Sequence, residues 1–217
     1  MAHSPHRSIA SIYIIGSQST GKTTLVNGLM EEFQALCGTI AVPEPGLIAE
    51  VARNVIEEMS FATEDIRNSP DLSLMLQKQI LAAQVEAEQT ALGTSPWFVS
   101  DRSALDPIVY AHTYAGTDAA KKITESGTWQ AIRQRMAESV VIVCEPVVEW
   151  LQDDGVRLLP KDNEEWIQIH RGFCTLLEEE GIGYSVLGSD IRKSSGRVDF
   201  VVSRWRQRLE ELFSPNR

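Results

Sequence analysis

Apolar residues along this chain keep two rhythms, short unbroken runs and longer stretches spaced by three or four positions. The run IASIYII (9–15) is β-branched and halts at Gly16, as a buried parallel strand does. Helical spacing follows from Lys22, where Leu25, Leu29, Phe33 and Leu36 share a face and Gly38 offers a C-terminal cap. TIAVPEPG (39–46) then reads as a second strand, broken by Pro43 and Pro45. LIAEVARNVIEEM (47–59) has helical periodicity, SFATEDIRN a loop or lid-like character, and residues 69–92 form a long helix with Ser69 or Asp71 near its N-cap and Pro70 in its first turn.

The alternation continues to the end of the chain. PWFVSDRS (96–103) is a third strand ending in charge, and ALDPIVYAHTYAG (104–116) a short helix interrupted by Pro107. A helix over TWQAIRQRMAES leads to a fourth strand, VVIVCEP (140–146). Helix 164–181, strand YSVLG and helix 198–213 complete the order. Strands alternating with helices predict an α/β fold, a parallel five-stranded sheet with helices on both faces. The expectation is one domain over 1–217, with a tail at 1–8.

Composition narrows the partners. Twenty Lys and Arg against 30 Asp and Glu give a net charge of -10, which disfavours nonspecific attraction to nucleic acid or an anionic membrane. Any positive site is therefore local. Cys37, Cys144 and Cys174 are odd in number and lack metal-ligand spacing, which fits reduced thiols. The start MAHSPHRS lacks an apolar signal core, and no apolar run approaches the roughly 18 residues that span a bilayer. The expected setting is the cytoplasm, without a transmembrane segment.

Gly16, Ser17, Gln18, Ser19, Thr20, Gly21, Lys22 and Thr23, followed by Thr24, satisfy the pattern G-x-x-x-x-G-K-[ST] between a strand and a helix. Glycines let such a loop turn its N–H groups and the helix N-terminus toward a phosphate chain. Lys22 would meet the β- and γ-phosphates and Thr23 would ligate Mg²⁺. The competing reading is a turn of small residues with a solvated lysine. A P-loop of this kind serves kinases, GTPases and ATPases alike, so the other strand ends must decide.

Asp101, closing the strand WFVSD, suits the task of holding Mg²⁺ directly or through water. Arg102 beside it could clamp a phosphoryl group or an acceptor, or the pair could cap the next helix, as Asp106 could. Glu44, fixed between two prolines, could take a proton from an acceptor hydroxyl or be a solvated turn residue. In DDGVRLLPK (153–161), within a lid at about 150–163, Arg157 and Lys161 are cations that a closing loop could bring to the phosphate. Gln77, Gln79 and Gln84 on the long helix read first as exposed or helix-packing residues and second as substrate contacts. Neither DxxG after the third strand nor [NT]KxD occurs, which puts phosphoryl transfer to a small molecule ahead of a GTPase.

Together these stretches resemble the NadR-like P-loop domains, a family of AAA-type, ribosylnicotinamide kinase-like domains. It has a eukaryotic branch with a GTP- and phosphoinositide-binding protein linked to TRP-channel translocation. The likeness spans roughly residues 9–190 and rests on GSQSTGKTTLVNGL, VPEPGLIAEVARNVIEE, FVSDRSALDPIVYAHTYAG and WLQDDGVR. It implies a nucleoside or nucleotide kinase-like core with Lys22 and Thr23 on ATP and Mg²⁺, Asp101 near metal or acceptor, and Arg157 in the lid. Glu44 and Arg53 match the acceptor-side stretch. Bacterial kinases of this type often carry Asp-Thr-Asp after the third strand; Ser100, Asp101 and Arg102 stand here, similar to the DR signature of thymidylate-kinase relatives. The expected function is ATP/Mg-dependent transfer of the γ-phosphate to a small hydroxyl-bearing acceptor, such as the nucleoside nicotinamide riboside. The alternative is a GTP- or ATP-binding switch, or an ATPase, with phosphoinositide association.

Overall fold

The computed structural model describes residues 9–40, 42–60, 63–150 and 160–213. Its strands are β1 (Ile12–Ile15), β2 (Gly46–Ile48), β3 (Phe98–Asp101), β4 (Val140–Cys144) and β5 (Ser185–Leu187), in the spatial order β2-β3-β1-β4-β5 and all parallel. β1 lies in the middle because the chain steps to one side for β2 and β3 and to the other for β4 and β5. The loop after β1 therefore opens at the point where strand order reverses, where ligands gather in open α/β sheets.

The strands are apolar on both faces, and alternate side chains feed two cores. Tyr13, Ile15, Val141 and Val143 join one core, completed by α5 (Asp106–Ala115), α7 (Gly127–Glu138) and α8 (Asn163–Glu179). Ile12, Ile14, Ile142 and Cys144 join the other, against α1 (Lys22–Ile40) and α9 (Ser194–Phe213). Trp97 and Trp205 stack there and Phe33 meets both edge-on, with centroids 4.8–5.0 Å apart, each pair worth about 0.5–1.5 kcal/mol beyond area burial. The Trp205 indole also donates to the Ala10 carbonyl at 3.0 Å, tying α9 to the approach to β1.

A third, smaller cluster holds α2 (Val51–Met59), α3 (Thr63–Asn68) and α4 (Pro70–Thr94) together through Val55, Ile66, Leu76 and Ile80. Ser69 caps α4 by accepting from the Leu72 N–H, with Pro70 in the first turn, as the sequence predicts.

Several boundaries differ from the sequence reading. α1 runs through Gly38 to Ile40, and β2 begins only at Gly46. Pro43 and Pro45 have no N–H for a ladder, so pairing starts after them, with Gly46 N–H on the Trp97 carbonyl at 2.9 Å. Pro107 stands in the first turn of α5, where its missing N–H costs nothing, and so begins the helix it was expected to interrupt. SFATEDIRN contains α3, and a helix not anticipated, α6 (Thr117–Thr124), follows α5. Among the described residues no helix is long and apolar enough to cross a membrane.

Candidate functional site

β1 delivers the chain into the loop 16–21, where Gly16, Ser19 and Gly21 take φ values of +129°, +57° and +74°. A Cβ on Gly16 would lie 2.7 Å from the Cys144 carbonyl oxygen, and one on Gly21 would lie 3.0 Å from the Trp150 ring. Both positions need the smallest residue for conformation and for room. Ser17, Gln18 and Thr20 are buried, and the Trp166 indole of α8 donates to the Gln18 carbonyl at 2.9 Å.

The Lys22 ammonium lies inside this loop, donating to the Ser17 carbonyl at 2.5 Å and to Thr20 Oγ1 at 3.2 Å. Burial, with Arg102 adding its positive charge, pushes the Lys22 pKa down to about 8. A polyphosphate beside it would restore the ammonium. The cavity around the loop has a volume of about 530 Å³ and reaches Lys22, Thr23, Trp150 and Arg197.

Thr23, one residue into α1, donates through Oγ1 to Asp101 Oδ2 at 2.6 Å. Register brings them together: Asp101 pairs with Ile14, two residues before the loop. Asp101 is buried and its other oxygen, Oδ1, has no hydrogen-bond partner. A hard cation suits this pair of oxygen donors, and Mg²⁺ usually takes one or two protein oxygens together with phosphates and water. No group of three or more His, Cys, Asp or Glu able to hold a metal occurs among the described residues.

Arg102 follows at φ +83°, a conformation side chains rarely adopt and one that costs on the order of 1–3 kcal/mol. Two carboxylates hold it there. Its Nε donates to Glu50 Oε1 at 2.6 Å and its Nη1 to Asp106 Oδ1 at 3.1 Å, while Asp106 Oδ2 accepts from the Ser103 N–H and hydroxyl at 2.9 Å each. Burial disfavours the charge on Arg102, but Glu50 leads the surrounding groups that outweigh it and hold its pKa well above the ordinary value. Asp106 is therefore not the helix cap that was expected: Leu105 holds the N-cap position without a side-chain bond, and Asp106, in the first turn, is an ion-pair partner that also accepts from Ser103.

Beyond Arg102 lies a second pocket between α2, α4 and α5, walled by apolar groups such as Val51, Ile56, Ile80 and Pro107. Gln77 and Gln84 line it and are buried, whereas Gln79 is exposed. Tyr110 at its edge donates to Gln18 Oε1 at 2.5 Å, joining it to the phosphate loop. The two pockets share two residues, Glu50 and Arg102.

Glu44 requires a correction. It precedes β2, at the end of the sheet away from the loop, where its carbonyl accepts from the Ser95 hydroxyl at 2.7 Å. The prolines that made Glu44 look fixed also delay the strand, and the carboxylate that follows β2 is Glu50. Arg53, on α2, lines neither pocket. Arg157, Asp153 and Asp154 lie outside the described residues, as does most of the expected lid; Lys161, just beyond, is exposed.

Two residues on the nucleotide side were not singled out in the sequence. Arg197, on the first turn of α9, donates through Nη2 to the Thr20 carbonyl at 2.9 Å and sits 5.0 Å over the Trp150 ring. Nothing local in SSGR or EWL marks either residue, because their meaning comes from contact with the loop.

Comparison with known proteins agrees with this geometry. The AAA domain family model matches residues 11–193, and the chain belongs to that family. No curated protein matches it. The structure of NadR protein in complex with NR aligns with a TM-score of 0.65 at 21% identity, covering 92% of this chain and 52% of that one. This chain therefore spans about half the length of that NadR chain. Deoxyadenosine kinase from M. mycoides with bound dATP aligns with a TM-score of 0.56 at 11% identity, covering 91% of this chain and 99% of that one. The same kinase with dCMP and dCDP aligns at 0.53 and 12%. The likeness is one of fold, a NadR-like P-loop domain as the motifs implied. Nothing in these comparisons bears on the eukaryotic branch.

Proposed function

We propose that this AAA domain protein is a phosphotransferase that moves the γ-phosphate of ATP or GTP to a hydroxyl of a small acceptor of the nucleoside class. One observation carries the reading. A pocket lined by the phosphate loop and an apolar pocket meet at a shared Glu50–Arg102 ion pair. An ATPase or a switch needs only the first pocket, whereas transfer between two bound molecules needs both to meet at the reacting phosphorus. The fold shared with a deoxyadenosine kinase and with NadR bound to NR is consistent with an acceptor of this kind.

The chemistry is positioning and charge neutralisation. Loop N–H groups and Lys22 hold the phosphates, and Thr23 and Asp101 offer the oxygen donors for Mg²⁺. When bound, Mg²⁺ supplies positive charge against the phosphate oxygens. The acceptor oxygen forms a bond to the γ-phosphorus as the bond to the β–γ bridging oxygen breaks. Glu50 takes the hydroxyl proton, and the bridging oxygen leaves as part of the nucleoside diphosphate. Arg102, which lines both pockets, would offer its charge to the phosphoryl group in transit. Lid cations such as Arg157 would complete the enclosure.

The test is incubation with γ-labelled ATP or GTP and a panel of nucleosides that includes nicotinamide riboside. Label on an organic acceptor is expected. Free labelled phosphate alone would make the protein an ATPase or GTPase, and tight retention of GTP without turnover would make it a switch.

A further inference from the structure

α9 leaves one charge beside the phosphate loop unanswered. Arg197 is buried and lines the cavity around the loop, yet no carboxylate among the described residues pairs with it. Its Nη2 donates to the Thr20 carbonyl at 2.9 Å, whereas Nε and Nη1 have no hydrogen-bond partner. Both carboxylates that line the cavity are committed elsewhere, Glu50 to Arg102 at 2.6 Å and Glu149 to Arg192 at 3.1 Å. Cys144, beside Arg197, is a neutral thiol because burial pushes its pKa up, and the Trp150 ring covers one face of the guanidinium at 5.0 Å. Arginine is almost never buried without a counter-charge, since a charge removed from water and left unpaired is strongly destabilising. Bracing Thr20 needs only a neutral donor. The excess is also local: Lys22, Arg102, Arg192 and Arg197 line this cavity against those two carboxylates, in a chain of net charge -10.

We infer that Arg197 is a phosphate-binding residue of the nucleotide site, its charge neutralised by the polyphosphate when nucleotide is bound. This rests on the triphosphate half of the reading above. The cation comes from the last helix and is seated before nucleotide arrives, unlike one that a closing loop must carry in, so it adds affinity without reorganisation. The empty protein keeps the charge at the expense of its own stability.

The experiment titrates ATP and GTP by calorimetry, over a range of potassium chloride concentrations, into the unaltered protein, Arg197→Met and Arg197→Gln. Methionine removes charge and donor; glutamine keeps a neutral donor toward Thr20. Both variants are expected to bind the preferred triphosphate more weakly, by on the order of tenfold or more, and with a flatter salt dependence. Melting of the empty variants is expected at no lower temperature than that of the unaltered protein, since the unpaired charge is gone. Unchanged affinity overturns the inference. Affinity restored by glutamine, a loss with the salt dependence intact, or failure of both variants to fold makes Arg197 a brace alone and overturns it equally. No triphosphate binding by the unaltered protein sinks this inference and the proposed function together. Binding that depends on Arg197, without transfer of label to any acceptor, sinks the phosphotransferase and leaves the inference.

Discussion

Residues 16–24 form the loop side of the first pocket from consecutive positions, with Trp150 and Arg197 added from afar, whereas the second pocket draws Gln84 and Asp106 from separate stretches and shares Glu50 and Arg102 with the first. A main-chain cradle recognises what all nucleoside triphosphates have in common. A side-chain pocket depends on each residue and can be altered one at a time. On the proposed function the difference predicts that triphosphate binding and acceptor choice are separable except at the shared Glu50 and Arg102, so that substitutions elsewhere on one side should leave the other untouched.

Glu50→Gln puts the largest strain on that separation. It is expected to lower turnover by on the order of 10²–10⁴, the usual contribution of a general base, with triphosphate affinity within twofold by calorimetry. A matching loss of affinity would show that the two sides are one site. Lys22→Ala is expected to reduce triphosphate affinity or turnover by on the order of a hundredfold, with circular dichroism and melting unchanged. Proton linkage is smaller. Because the Lys22 pKa is pushed down to about 8, the ammonium is present below that pH and lost above it. Triphosphate affinity should hold from pH 7.5 to 8 and then weaken by up to roughly tenfold per unit. An affinity flat to pH 10 would place the ammonium away from the phosphates. Glu44→Gln sets the zero, expected to leave turnover and affinity unchanged and stability within about 0.5 kcal/mol.

Much of this could be read from the sequence where the signal is local. Gly16 to Thr23 declare the loop, since spacing, strand and helix all lie within a short stretch, and WFVSD announces a carboxylate at a strand end. Glu50 escaped because TIAVPEPG offers more strand-forming residues than GLI, and only the missing N–H groups of two prolines move the strand on to Gly46. Because those prolines offer no donors, GLI is the strand and Glu50 the carboxylate that follows it. Gln84 looks like any polar helix residue; helical spacing brings it to Glu88, but its burial also involves Ser100 and the Arg135 partner of Glu88, which helical periodicity cannot supply. Arg102 was singled out, but its left-handed backbone and paired carboxylates follow from folding and have no mark in DRS.

Arg197 carries one further consequence. A loop encoded near the start of the chain is braced by a guanidinium 177 positions later, and Trp205 reaches back 195 positions to Ala10. During synthesis the loop is made 177 positions before the guanidinium that braces it. A nascent chain can display the motif before the residues that brace it have been made, so the finished loop depends on contacts that are among the most distant in sequence.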